Sequence, residues 1–303
     1  MNTKPTGNPI LPGLGVCDPH VRIFGDKAYL YATHDKAKDS TEFVMEDWWI
    51  WSSSDLVNWK HECTLRPEQT YIGAGFRSCW ATDAAEKNGK YYWYLSEGSA
   101  RTGVVVADTP TGPWRDPLGR ALIGDGVIPT GAYDPGVFID DDGTPYIVLG
   151  VWDYYIARLN DDMISLAEPP RKIAIVNPEG PYGPGKTDDK PYLHKRGGVY
   201  YLSWGCFYAM ADSVYGPYDC RGSIVVEALV PATHRYKDHG ITYDRHGSFF
   251  EWRGQWYFIC NDMSQTGTMF YRDSSICRVN YRSNGEIEPV VLDPAGVGLP
   301  GWE

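Results

Sequence analysis

The chain lacks any excess of positive charge. Its 303 residues carry 28 Lys and Arg against 39 Asp and Glu, a net charge of −11. Nucleic acids and anionic membranes are gripped through basic patches, so neither is an expected partner. No apolar run approaches the length of a membrane span. The opening MNTKPTGNPILPGLG has no apolar signal core, so the expected form is cytoplasmic or a mature secreted chain. The seven cysteines (17, 63, 79, 206, 220, 260 and 277) are odd in number and include no CxxC pair. Neither a disulfide framework nor a zinc site has support. Helical periodicity is almost missing too: no 15-residue window sustains apolar residues at i, i+3, i+4 and i+7.

Aromatic residues, in contrast, are plentiful, with 22 Tyr and 12 Trp. Most suit the pleated surfaces of strands, and some have the flat apolar faces on which a sugar can stack. Five turn-and-strand signals recur: GDKAY ending at Tyr29, GKYY at Tyr92, GTPY at Tyr146, GVYY at Tyr201 and GQWY at Tyr257. Each is a glycine-containing turn leading into an apolar strand. The tyrosines are 63, 54, 55 and 56 residues apart. A period of about 40–50 residues or slightly more, built of short strands alone, marks propeller blades. The expected fold is all-β, a five-bladed β-propeller forming one catalytic domain over residues 1–303.

Eleven or twelve residues before each tyrosine lies the head of the preceding strand. Those positions are Asp18, Trp80 or Ala81, Asp134, Asp189 and His246. Inner strands of a propeller line its central channel, so three carboxylates and a histidine from four blades should meet at one mouth. Separated carboxylates facing a sugar are the working parts of glycoside hydrolysis: one protonated to assist the leaving oxygen, one ionised to activate water. A third negative charge raises the acid's pKa. An aspartate before a strand is commonly only a turn residue, but three at equivalent repeat positions argue for a site. His246 fits a hydrogen-bonded channel residue or a ligand to a hard cation such as Ca²⁺. The DDDG run at Asp140–Gly143 lacks the alternation of a calcium loop and reads as a turn.

At these residues the sequence resembles glycoside hydrolase family 43. NPILPGLGVCDPHVRIFGDKAYLYATHD is similar to that family's opening segment, and SSSDLVNWKHE to its outer-strand element. CWATDAAEKNGKYYWYLS, VVVADTPTGPWRDPLG, YDPGVFIDDDGTPYIVLG and RHGSFFEWRGQWYFICND resemble later blades in order. The resemblance implies an inverting glycosidase without an organic cofactor, with Asp18 as general base and Asp134 as pKa modulator. It also places His246 near a channel cation, often Ca²⁺. The family's general acid is a glutamate in an E-[GA]-P context. Here a literal Glu179-Gly180-Pro181 stands before the strand, while spacing puts Asp189 at its head. Asp189 is the favoured acid because strand register fixes where it points; Glu179 is the alternative. Trp80, His20, Arg245 and Trp49 are candidates for sugar binding. The implied activity is exo-acting α-L-arabinofuranosidase on a small oligosaccharide or a polysaccharide side chain. The alternatives are a β-xylosidase, a galactosidase or galactofuranosidase, or a non-catalytic carbohydrate-binding propeller. WRDP at Trp114–Pro117 and Glu62-Cys63 resemble elements of retaining fructan-cleaving propellers, but in the wrong order.

Overall fold

The computed structural model describes residues 7–225 and 245–297. Among them there is no α-helix, only a 3₁₀ turn at Pro67–Gln69. The first blade is β1 (Val16–Phe24), β2 (Lys27–His34), β3 (Trp48–Ser53) and β4 (Lys60–Leu65), paired in that order. The second is β5 (Cys79–Lys87), β6 (Lys90–Glu97) and β7 (Arg101–Ala107). The third is β8 (Gly136–Ile139), β9 (Pro145–Leu149), β10 (Tyr155–Arg158) and β11 (Arg171–Lys172). Next come β12 (Ile175–Val176) and a small hairpin of β13 (Glu179–Gly180) with β14 (Gly183–Pro184). The fourth blade is β15 (Pro191–Arg196), β16 (Val199–Trp204), β17 (Phe207–Ala211) and β18 (Tyr218–Ser223), with β12 added in parallel at its outer edge. The fifth is β19 (Gly247–Trp252), β20 (Gln255–Asp262) and β21 (Asp273–Val279).

Each repeat tyrosine falls on the second strand of its blade and pairs with the inner strand: Arg22 with Tyr29, Ala85 with Tyr92, Phe138 with Tyr146, His194 with Tyr201, Phe250 with Tyr257. The inner strands touch in a closed ring, β1 to β5 to β8 to β15 to β19 and back to β1. The fold is the expected five-bladed propeller.

Apolar cores lie between neighbouring blades. Val21 and Leu30 of the first blade pack with Phe250 and Ile259 of the fifth, and Ile50 of the first with Trp93 of the second. The ring is fastened where it begins. The amide of Ile10 donates to the Ser274 carbonyl at 2.9 Å, and the Asn8 side chain exchanges hydrogen bonds with the Ile276 backbone at 2.8 and 2.9 Å. Residues 8–10 thereby cover the outer edge of β21, which would otherwise present unpaired groups.

Candidate active site

One mouth of the channel opens into a pocket of about 280 Å³. Asp18, Trp80, Ala81, Asp134, Asp189 and His246 all line it, so every strand-head position picked out by the repeat converges there. Phe43, Met45, Trp152 and Tyr182 complete its wall from outside the inner strands. Asp18 and Asp134 each precede a proline at positive φ, +47° and +56°, a conformation that aspartate tolerates better than most residues. The ladder slips between Cys17 and His20 and again between Trp80 and Thr82. Such bulges re-aim side chains beside active sites.

Asp18 is buried and surrounded by donors. Arg272 reaches Oδ1 from Nη1 at 3.1 Å and Oδ2 from Nη2 at 3.3 Å. Asn261 donates to Oδ1 at 3.0 Å and accepts the Asp18 amide at 2.7 Å. Lys190 Nζ stands 3.7 Å from Oδ1. Burial alone would push this carboxyl up, but the charges of Arg272, Lys190 and His246 outweigh it and hold Asp18 well below the usual carboxylate range. Arg272 is itself fixed by Asp35, which accepts from its amide, Nε and Nη2 at 2.8, 2.9 and 3.0 Å. Cys17 Sγ accepts from the same guanidinium at 3.2 Å, and burial raises its thiol well above normal, so it packs rather than reacts.

Asp134 stands in the opposite environment. Burial, then the negative charges of Asp189 and Asp18, push its carboxyl well above the usual range despite His246 and Lys190. Its amide donates to Ser96 Oγ at 2.9 Å. Asp189 remains partly exposed, with 29% of its side chain reachable. His246 lies between two carboxylates: Nδ1 is 3.0 Å from Asp18 Oδ1, and Nε2 bonds to Asp189 Oδ1.

Several expected residues lie elsewhere. Glu179 is exposed on β13 and does not line the pocket; its carbonyl accepts the Trp204 indole N–H at 2.8 Å. His20 is fully buried below the pocket, with Nδ1 3.1 Å from Asp83, whose carboxyl Arg22 and His20 hold down against the effect of burial. Arg245 is also buried, donating to the Asn261 carbonyl at 2.7 Å and standing 3.5 Å from Asp262. Trp49, on the third strand of its blade, stacks on His34 at 3.6 Å. None of these three lines the pocket, whereas Trp80 does. Asp140 caps the β8–β9 turn and accepts from Lys195 and Tyr200, as turn chemistry requires. Asp116 accepts backbone amides of Tyr71, Leu118 and Gly119, and Glu62 pairs with Ser52, so the fructan-type motifs also fall outside the site. Sequence reasoning missed Arg272, Asp35, Asn261 and Lys190.

Asp134, Asp189 and His246 each offer a donor atom within 4.8 Å of the others, a spacing a shared cation could use. Two carboxylates and an imidazole so placed offer three donors to a hard cation such as the Ca²⁺ expected from the resemblance. Burial lowers the imidazole pKa, but the charges of Asp189 and Asp18 more than offset this and raise it well above normal.

A propeller whose channel mouth gathers one ionised and one protonated carboxyl, with a third partly open to solvent, has the parts of a glycosidase. The chain belongs to the glycosyl hydrolases family 43, whose model matches residues 6–287. It is an inverting glycosidase, as that family is. A β-D-galactofuranosidase of Aspergillus niger is 31% identical over 98% of this chain and 88% of its own. A xylosidase/arabinosidase of Bacteroides ovatus is 29% identical over 92% of this chain and 95% of its own. A β-xylosidase/α-arabinofuranosidase from a compost metagenome, solved with xylotriose in a calcium-free form, superposes with a TM-score of 0.77. It is 26% identical and covers 95% of this chain and 98% of its own.

Proposed function

We propose that the protein removes a single terminal sugar from an oligosaccharide or polysaccharide side chain, as an exo-acting α-L-arabinofuranosidase. The observation that carries this reading is the placement of Asp18 and Asp189 on opposite sides of His246 in one small pocket. A whole ring separates the carboxyls, which suits the ~6.5–9.5 Å of inverting enzymes better than the ~5–5.5 Å of retaining ones. The volume is near the lower end of the ~300–1,000 Å³ typical of small-molecule sites and suits a terminal unit rather than a threaded polymer. Two similar proteins have names that specify a furanose, a β-D-galactofuranosidase and an arabinoxylan arabinofuranohydrolase, which favours a five-membered glycone.

In this mechanism Asp18 is the general base. Its Oδ1 is crowded by His246, Asn261 and Arg272, whereas Oδ2 takes only the longer Arg272 contact among the described residues. Oδ2 therefore has a lone pair for the attacking water. Asp189 is the general acid. Burial and the negative charge of Asp189, an oxygen of which lies within 4.8 Å of Asp134, help hold a proton on Asp134. Asp134 keeps that proton in the free protein. Asp189, being more exposed, delivers it to the leaving oxygen. Trp80 lines the pocket and offers an apolar indole against which the sugar can pack. Trp152 and Tyr182, largely exposed and 5.2 Å apart between ring centroids, form the rim where the leaving group rests.

The test uses α-L-arabinofuranosides, β-D-xylosides and β-D-galactofuranosides, each with aryl and with sugar leaving groups. Asp189→Asn should lower kcat/KM about 10²–10⁴-fold on sugar leaving groups and far less on aryl ones, while Glu179→Gln stays within about twofold, as an exposed surface change should. The reverse pattern would make Glu179 the acid. Preference for the xyloside or galactofuranoside would replace the proposed glycone.

A further inference from the structure

Three inner strands begin with a residue followed by proline: Asp18-Pro19, Asp134-Pro135 and Lys190-Pro191. In all three the first residue adopts positive φ, +47°, +56° and +55°, and all three are buried. The blades are repeats, so these side chains leave equivalent backbones and enter the channel from three directions. Two are carboxylates and the third is lysine. By backbone register, Lys190 and not Asp189 is the fourth blade's counterpart of Asp18 and Asp134.

A lysine is out of place there on two counts. Positive φ is uncommon for a long side chain and would suit glycine without strain. Its side chain is also fully buried, although lysine is almost never buried unless paired. The ammonium makes no hydrogen bond to any described residue. Burial lowers its pKa, and what opposes this most is the charge of Asp18, whose Oδ1 lies 3.7 Å away. Strain and burial kept together at a functional mouth point to a role.

We propose that Lys190 is the channel's resident cation, a positioning residue that neutralises and orients the Asp18 carboxylate so that the site takes no divalent metal. The arrangement of His246 agrees, since both its nitrogens face carboxylates. The buried Lys190 ammonium supplies, from the chain itself, positive charge that a bound ion would bring. A Ca²⁺ held by Asp134 and Asp189 would share the channel mouth with it and be repelled.

This inference rests on the site described above, and its first readout is binding rather than turnover. The purified full chain, stripped with a chelator, is titrated with CaCl₂ in a calorimeter and melted with and without the ion. The wild type should show no saturable binding and no rise in Tm, and kcat/KM should be unchanged by the chelator. Lys190→Gly removes the ammonium and suits the positive φ. It should bind one Ca²⁺, with Tm rising as the ion is added. Its lowered kcat should recover with Ca²⁺ at constant KM, a rescue that a merely structural lysine would not give. Stoichiometric Ca²⁺ binding by the wild type would overturn the proposal, and so would a Lys190→Gly protein as silent as the wild type. Should that variant fail to fold, Lys190→Met, which keeps most of the side chain without its charge, takes its place with the same expected gain of Ca²⁺ binding. A protein inactive on every glycoside would leave the calorimetry intact, so the two readings can fail separately.

Discussion

Asp18 and Asp134 begin in the same place and end in opposite states. Each precedes a proline at the head of an inner strand, each has positive φ, and each is buried. Around Asp18 stand Arg272, Asn261, Lys190 and His246, and the carboxyl is held ionised. Around Asp134 burial and the charge of Asp189 dominate, and the carboxyl keeps its proton. The repeat decides where a side chain arrives, and its neighbours decide what it can do there. Two carboxyls with pKa values pushed apart by their surroundings are the usual mark of a base and an acid partner.

Removing the ionised member should produce the largest effect. On the proposed mechanism Asp18→Asn leaves no base for the water, and kcat/KM should fall about 10²–10⁴-fold on every glycoside, aryl leaving groups included. A smaller loss on aryl glycosides alone would instead mark Asp18 as part of the acid machinery. The comparison can next be weakened from outside. Arg272→Lys keeps a charge but loses the fork that spans Asp18 and Asp35. A base works when ionised, so activity is lost as pH falls through its pKa, which in the wild type lies below the ordinary ~3.9. Loosening the pairing raises that pKa, and the acid limb of kcat/KM should move up by about one pH unit. An unmoved limb would show that Arg272 is only a scaffold. The smallest effect should come from the protonated member. Asn is a close mimic of a neutral carboxyl, so Asp134→Asn should fold normally. It has no proton to pass to Asp189, however, so kcat/KM should fall on sugar leaving groups and much less on aryl ones.

Much of this site was legible because strand spacing is regular. Counting back from the five tyrosines found all the strand-head residues that now line the pocket. What escaped was the second half of the comparison. Arg272 lies just before β21, and Asp35 and Asn261 lie after or late in second strands, where no repeat signal marks them. Lys190 was hidden by counting to Asp189 instead of aligning the prolines. Nearness in sequence also misled. His20 follows Asp18 closely, but the bulged strand carries it one level deeper, against Asp83. Arg245 adjoins His246 yet turns towards Asp262. Trp49 sits two strands away from the channel. The literal Glu-Gly-Pro motif is a backbone feature here: Gly180 packs so tightly against Lys186 and Thr187 that a Cβ would lie 2.7 Å from their carbonyl oxygens, while the Glu179 side chain faces solvent.

The most direct measurement is a carboxyl titration by NMR of protein labelled with ¹³C at the aspartate side chains. Asp18→Asn and Asp134→Asn identify the two resonances by their disappearance. On this account the Asp18 signal titrates below the ordinary ~3.9 and the Asp134 signal well above it, in two separate steps. Two signals titrating together near the ordinary ~3.9 would contradict it.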